Sequence, residues 1–249
     1  MDGRASAEQS RRGKPIVIPA ERRGKQRVGK AVRMVIDVAF ATVFITLMST
    51  AMVREVAHEY LGIAAFCLFV VHQVLNRRWW TGLVRGRWTA RRAIGTLVNV
   101  ALVACMIGQA TSALVLSKYA FGWLPAIDGA WWARIVHLLC SYWGLVLLGI
   151  HVGLHLGGVS RKLAKSSTGM RWAWRALGLV CIVLGVAAFA HLNFASYLFM
   201  QVKFVFVDPT APLWFTVAQF AAVAALFAVA GNLLQACLRP RKTPLNETS

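Results

Sequence analysis

The feature that most limits what this chain can fold into is a series of long apolar stretches. A helix needs about 20 mostly apolar residues to cross a bilayer, and the sequence of 249 residues has six stretches of that kind. They are residues 34–53, 56–75, 93–116, 134–156, 176–199 and 212–236. Too little sequence lies between them for a second folded domain. The sequence therefore predicts an all-α fold, a polytopic bundle of six transmembrane helices that occupies residues 34–237 and contacts membrane lipid.

The segments outside this bundle are an arm and a short tail. Residues 1–33 are rich in Arg, Lys and Gly and contain Pro15 and Pro19, a composition that can bury little apolar surface. We therefore expect a disordered basic arm there, and a short polar tail at residues 238–249.

Basic residues are divided unevenly between the two sides that six spans define. Of the 28 Lys and Arg residues, twenty-four fall in the arm, the tail and the loops 76–92 and 157–175. Only four fall on the other side: Arg54, Lys118, Arg134 and Lys203. Such an excess marks the cytoplasmic side of the inner cell membrane, so both termini are expected in the cytoplasm. Because topology accounts for the net charge of +19, nucleic acid is not an expected partner.

Tryptophan gives an independent indication of the same topology. Nine of the ten tryptophans lie beside the predicted span ends, and only Trp143 lies inside a span. Trp is enriched at both membrane–water interfaces, so its positions agree with the boundaries that hydropathy predicts.

The histidines give the first indication of function. All six fall within predicted spans: His58, His72, His137, His151, His155 and His191. An ionisable residue inside a span is costly, so each is a candidate functional residue. His58 and His72 are fourteen residues apart, as are His137 and His151, which is a rise of about 21 Å and about 40° short of four turns. Because the second and fourth spans are predicted to be parallel, His58 can face His137 at one depth and His72 can face His151 at another.

Two stacked histidine pairs suit two b-type haems, because each haem iron takes two axial imidazoles from opposite sides. The sequence has no C-x-x-C-H motif for covalent haem attachment. The predicted metal ligands are therefore His58, His72, His137 and His151. Small residues lie between these ligands, as expected if flat rings fit between the helices. They are Gly62 and Ala65 on the second span, and Ser141 and Gly144 on the fourth.

Several alternatives remain open at this point. His155 lies one turn beyond His151 and can replace it as a ligand, bind a quinone or a haem propionate, or share a zinc ion with it. For His191 we expect polar packing or proton handling, and for Asp37 an interfacial position paired with Arg33. A histidine-based proton or metal-ion transporter is disfavoured because Asp37 is the only carboxylate well inside a span. A non-catalytic anchor subunit of a redox complex is the other alternative.

Four strings of residues carry a family resemblance: HEYLG at 58–62, HQVLNRRWW at 72–80, GRWTARR at 86–92, and a helix with YWG at 142–144 and HVGLH at 151–155. Over residues 34–236 the chain resembles the flavinylation-associated cytochrome family. The resemblance implies a di-haem, cytochrome b-like membrane protein that takes electrons from the quinone pool. It would pass them to an extracytoplasmic redox partner that carries FMN, with no covalently bound flavin on this chain.

The resemblance also implies roles for single residues. His58, His72, His137 and His151 match the haem ligands of the family, His155 matches a position of less defined role, and His191 matches none. Whether the chain is itself a quinol-oxidising oxidoreductase depends on a quinone site, which the sequence does not establish.

Overall fold

The structure is a computed structural model that describes residues 20–49, 55–85, 87–123, 125, 128–202 and 210–238. Every regular element in these ranges is a helix, so the predicted all-α class is confirmed for them. The helices are α1 (Ala20–Leu47), α2 (Glu55–Leu75), α3 (Arg78–Gly82), α4 (Ala90–Leu116), α5 (Ala130–Ala164), α6 (Thr168–His191), α7 (Phe194–Leu198) and α8 (Leu213–Cys237).

Five of these helices, α2, α4, α5, α6 and α8, are long and apolar enough to cross a membrane. Large apolar side chains are exposed along them, including Leu97, Ile107, Leu177, Leu179 and Val183. Contiguous apolar surface of this extent is rare on water-soluble monomers, whereas lipid tails solvate it well. The protein is therefore a multi-pass membrane protein whose apolar helices contact lipid.

Helix α1 differs from the predicted first span at both ends. It begins at Ala20, so residues 20–33 are helical and do not belong to the disordered arm that composition predicted; residues 1–19 lie outside the described part of the chain. It ends at Leu47, before the predicted end at residue 53. Its apolar part, residues 34–47, is only about 21 Å long, less than the roughly 30 Å of hydrocarbon in a bilayer. For this reason α1 is not among the five.

The fifth predicted span, residues 176–199, is not one continuous helix. Helix α6 ends at His191, Asn193 takes a left-handed conformation with φ of 47°, and the short helix α7 follows. Asn tolerates this conformation better than most residues, so the chain can turn here. The turn buries α7, where Tyr197 stacks on Tyr142 of α5 with ring centroids 4.6 Å apart.

Helix α5 is the centre of the bundle and packs against α4 on one side and α8 on the other. Its contact with α8 depends on glycine, because a Cβ at Gly149 would lie 2.5 Å from the carbonyl oxygen of Ala224. A Cβ at Gly153 would likewise overlap the carbonyl oxygen of Ala228. Small residues let helix backbones approach closely in this way. The α5–α8 pair is therefore fixed by backbone contact.

Helix α2 is attached to the bundle differently. It packs along α1 and more lightly on α4, and it has no comparable packing against α5. The faces of α2 and α5 that carry the histidines are thus opposite each other without close backbone contact.

Candidate functional site: two histidine levels

His58 of α2 and His137 of α5 form the first level of the site, named here the His58 level. Their ring centroids lie 6.1 Å apart, with the ring planes at 66°. Both side chains are partly buried. Two imidazoles that bind one metal ion from opposite sides, with bonds of about 2 Å, have centroids about 6 Å apart. The spacing of His58 and His137 therefore suits a metal centre between them.

His72 of α2, with His151 and His155 of α5, forms the second level, named here the His72 level. His72 lies within electrostatic range of both α5 histidines, whose ring centroids are 4.7 Å apart. Phe40 of α1 lies beside His72, with ring centroids 6.3 Å apart. Because His58 lies opposite His137 and His72 lies within electrostatic range of His151, α2 and α5 run in the same direction, as the predicted order of the spans requires.

In three of the four predicted ligands, an oxygen atom lies within hydrogen-bond distance of Nδ1. His72 Nδ1 lies 2.7 Å from Asp37 Oδ1, and His151 Nδ1 lies 2.8 Å from Asn99 Oδ1. His137 Nδ1 lies 3.2 Å from Ser112 Oγ, which donates its own proton to the carbonyl oxygen of Gly108 at 2.6 Å. The carboxylate of Asp37 and the amide oxygen of Asn99 can only accept, so Nδ1 carries the ring proton in His72 and His151. The Ser112 hydroxyl is free to accept from His137 when it donates to Gly108.

This hydrogen-bonding pattern leaves the Nε2 lone pair free on His72, His137 and His151. It is the arrangement typical of metal-binding histidines, in which the second nitrogen donates to a carbonyl, carboxylate or similar acceptor and fixes the tautomer and the ring orientation. His58 differs, because its buried Nδ1 has no hydrogen-bond partner among the described residues. An unpaired buried polar atom is costly, so the His58 level is incomplete with the protein's described residues alone.

Sequence reasoning missed the supporting residues on α4. Asn99 and Ser112 lie in the apolar third span, thirteen residues apart, which is about 20 Å of rise and close to the separation of the two α5 histidines. Because α4 is antiparallel to α5, each polar residue matches one histidine in depth. Polar residues within a span were a usable signal. Their partners were not predictable, since Asn99 and Ser112 do not share one face of α4.

Asp37 also has a different partner from the expected one. The sequence suggested an interfacial carboxylate paired with Arg33, whereas the structure places Asp37 on His72, at the level of the second histidine pair. The reason is the packing of α1 along α2, which brings the first apolar turns of α1 beside the last turns of α2. A carboxylate–histidine contact of this kind is a tertiary feature that spacing along the chain did not reveal.

The small residues between the levels divide into two groups. A Cβ on Gly62 of α2 would meet no atom within 4 Å, so the space beside this half-buried residue is open. Gly144 of α5 instead lies against the ring of Phe44 from α1, 3.1 Å from where its Cβ would be. The structure therefore leaves open space for a Cβ at Gly62, while at Gly144 an aromatic side chain fills the space.

A clamp at the His58 level joins α2 to the end of α4. The Glu59 carboxylate accepts hydrogen bonds from the backbone N–H groups of Lys118, Tyr119 and Ala120, at 2.9, 3.1 and 2.8 Å, and from Ser117 Oγ at 2.6 Å. Charge-assisted hydrogen bonds are among the stronger ones in proteins. Since α2 packs only lightly on α4, this clamp keeps the neighbouring His58 opposite His137.

A cavity of about 460 Å³ opens beside the His72 level. His155 lines it with an exposed side chain, and Arg85, Arg91 and Gln235 also reach it. His155 has no hydrogen-bond partner among the described residues, in contrast with the Asn99-bound His151. His151 and Asn99 line the cavity as well. The hydrogen bond to Asn99 favours His151 as the metal-binding histidine of α5 at this level, and leaves His155 available to a molecule in the cavity.

Two further sequence hypotheses can be compared with the geometry. His191 Nδ1 accepts a hydrogen bond of 2.8 Å from the Gln219 amide of α8, which fits the polar packing that we expected for it. For a zinc site at His151 and His155, a third ligand is needed. Within the described residues, no three His, Cys, Asp or Glu side chains converge on one point.

Arg92 organises the loop before α4. It donates to the carbonyl oxygens of Gly82 at 2.6 Å and Leu83 at 3.1 Å, and its guanidinium lies over the Trp88 ring. Arg92 also lines the cavity, together with Arg85 and Arg91.

Comparison with known proteins adds no assignment. No protein-family model matches the chain, and neither curated proteins nor solved structures give a significant match. The site described above, and not similarity to another protein, is therefore the basis for a functional proposal.

Proposed function

We propose that this protein is a membrane cytochrome b that binds two haems, each between two histidines, and transfers electrons across the membrane. The observation that carries the proposal is the pair of histidine levels, with His58 and His137 at 6.1 Å and with an Nδ1 acceptor on three of the four predicted ligands. Bound haem b would supply a one-electron redox couple at each level.

The chain's own residues would hold and orient these groups. His58 and His137 would bind the first haem, and His72 and His151 the second. Asn99 and Ser112 fix the α5 imidazoles from one side, Asp37 fixes His72, and the Glu59 clamp holds α2 in place. No side chain occupies the space next to Gly62 on α2, which is compatible with a flat ring there.

Six spans with both termini in the cytoplasm are part of this proposal, and α1 supports the sixth span. Along α1, Asp37 contacts His72, Phe44 contacts Gly144 midway between the levels, and Met48 belongs to the core cluster that contains Tyr142. Helix α1 therefore extends from the His72 level past the midpoint between the two levels. With the basic loops inside, the His72 level is the cytoplasmic one.

Quinol is the proposed electron donor, and an extracytoplasmic FMN-carrying protein the proposed acceptor. The cavity beside the His72 level supports the first part, because Trp79, Leu83 and Leu154 give it apolar walls and its arginine, histidine and amide side chains offer polar partners to a small organic molecule. His155 is placed to accept a proton from a hydroxyl group that enters there. The family resemblance in the sequence is the support for the second part.

A proton transporter is the second candidate, because the structure favours it at one point. The Asp37–His72 pair places a carboxylate beside a histidine within the bundle, and such pairs are used in proton relays. Haem content distinguishes the two candidates.

The experiment is purification in mild detergent from haem-replete cells, followed by dithionite reduction. We expect a b-type α band and about two haems per chain in the pyridine haemochrome assay, because each level offers two imidazoles and no covalent attachment motif is present. A colourless protein that is monodisperse and helical would overturn the cytochrome proposal and leave the transporter.

Topology is tested with reporters at both ends. A reporter before Met1 and one after Ser249 should both indicate the cytoplasm, and one inserted after Gly129 should indicate the outside, because the basic loops set the orientation. Reporters at the two ends that indicate opposite sides would show that α1 does not cross, and the six-span arrangement would be wrong.

A further inference from the structure

The four histidines differ in the acceptor that their Nδ1 atoms meet. At the His72 level, the acceptor next to His72 Nδ1 is the carboxylate of Asp37, at 2.7 Å, and the acceptor next to His151 Nδ1 is the neutral amide oxygen of Asn99. At the His58 level, His137 has a neutral hydroxyl, that of Ser112, and His58 has no partner among the described residues. One level therefore has an anionic acceptor on one imidazole, and the other level has none.

The charge of the acceptor matters for a metal-bound imidazole. A carboxylate on the Nδ1 proton strengthens the hydrogen bond and raises the basicity of the ligand nitrogen. Both the stronger donation and the nearby negative charge stabilise the more positive, oxidised state of the metal. The reduction potential therefore falls at the level that has the carboxylate.

We propose that Asp37 is a positioning residue that lowers the reduction potential of the His72 level and makes it the low-potential end of the electron path. This inference rests on the proposed function and adds a direction to it. Electrons move downhill from low to high potential, so they pass from the His72 level to the His58 level. In the proposed orientation that is from the cytoplasmic side outward.

The surroundings of the two levels limit the size of the effect. The Asp37 side chain is 49% exposed and that of His72 is 22% exposed, so solvent screens part of the charge. Arg91 lies within electrostatic range of His155 at the same level and acts in the opposite sense. At the other level the Glu59 carboxylate lies within electrostatic range of His58, although its oxygens are hydrogen-bonded at the end of α4 and not to the imidazole. The contribution of Asp37 is therefore measured by comparing variants on this unchanged background.

The test is a redox titration of the haem-loaded protein, with the two components resolved spectroscopically. The variant Asp37→Asn keeps the shape and an acceptor oxygen but removes the charge. In this variant we expect the reduction potential of the lower-potential component to rise. The expected shift is about tenfold in the ratio of reduced to oxidised haem, or about 59 mV for a one-electron couple. The reduction potential of the other component should change by less than about a third of that shift. Asp37→Glu should restore most of the wild-type value.

Two variants serve as controls. Asn99→Asp places a carboxylate on the second imidazole of the same level and should lower the same component. Glu55→Gln removes a carboxylate at the other end of α2, where it contacts Lys118 at 3.2 Å, and should leave the low-potential component unchanged. The low-spin ferric EPR signal of the His72 level should change its g-value spread in Asp37→Asn, because that signal reports the donor strength of the axial imidazole.

The outcomes separate this inference from the proposed function. Wild-type protein without haem would end the proposed function, and the inference with it. Two haems with potentials unaffected by Asp37→Asn would overturn the inference alone. If Asp37→Asn loses the haem, the inference is tested by assigning the two components of the wild-type protein to the two levels. The component that disappears in His72→Ala must then be the lower-potential one. Loss of the higher-potential component would overturn the proposal.

Discussion

Replacement of His58 or His137 by alanine is expected to remove the same one of two haems, and replacement of His72 or His151 the other. Each single variant should retain about one haem per chain, because one missing axial ligand disrupts a bis-histidine site. Within a level, the double variant should lose little more than either single variant, since the two residues act on one site. The combination of His58→Ala with His72→Ala should lose both haems.

The measurement is haem stoichiometry together with a redox titration that resolves the two components. His191→Ala is the matched control, because this histidine also lies in a span but contacts Gln219; it should retain both haems. His155→Ala should retain both and slow reduction by quinol. If His58→Ala and His137→Ala remove different components, the two-level geometry is wrong. If His155→Ala removes the haem that His151→Ala leaves intact, the ligand on α5 is His155.

The second large effect is expected at Gly153. Leucine at this position would drive its side chain into the α8 backbone at Ala228 and Asn232, so α5 and α8 could not keep their present separation. Overpacking usually costs about 1–3 kcal/mol. A clash with two backbone groups of α8 should cost at least the upper end of that range, because backbone cannot move aside as a flexible side chain can. His151 lies on the same helix two residues earlier, so the His72 level would be disturbed as well.

Gly158→Leu provides the matched control on the same helix, because a Cβ at Gly158 meets nothing within 4 Å. We expect Gly153→Leu to lose the monodisperse peak in detergent or to show a much lower Tm, and Gly158→Leu to behave like the wild-type protein. Equal stability of the two variants would show that the close α5–α8 contact does not form in the membrane.

The sequence predicted the helices of the bundle well where hydropathy alone decides. The second, third and sixth predicted spans agree with α2, α4 and α8 to within a few residues, because a run of apolar residues in lipid must form a helix to satisfy its backbone. The prediction was less accurate at α1, at Asn193 and in the predicted loop 157–175. Most of that loop is helical, because α5 continues to Ala164 and α6 begins at Thr168. At α1 and at Asn193 the limits depend on how the helix end packs: Met48 and Phe194 are both buried in the same core cluster.

In the candidate site, too, some features follow from the sequence and others depend on packing. The spacing of fourteen residues placed His58 opposite His137 and His72 near His151, since helical periodicity and a shared direction fix depth and face. Nothing in that spacing distinguished His151 from His155. Both histidines line the cavity, and the structure favours His151 only through its hydrogen bond to Asn99, a residue on another helix.

By itself, the sequence determined the membrane environment, the helices and the two depths at which histidines occur, because each of these follows from local composition and from a fixed rise per residue. Only the tertiary structure decided which atoms meet each histidine. Asp37, Asn99 and Ser112 reach their partners from α1 and α4, and the contacts depend on how these helices are rotated and offset against α2 and α5. Rotation and offset are set by side-chain packing between helices, which no single stretch of sequence contains.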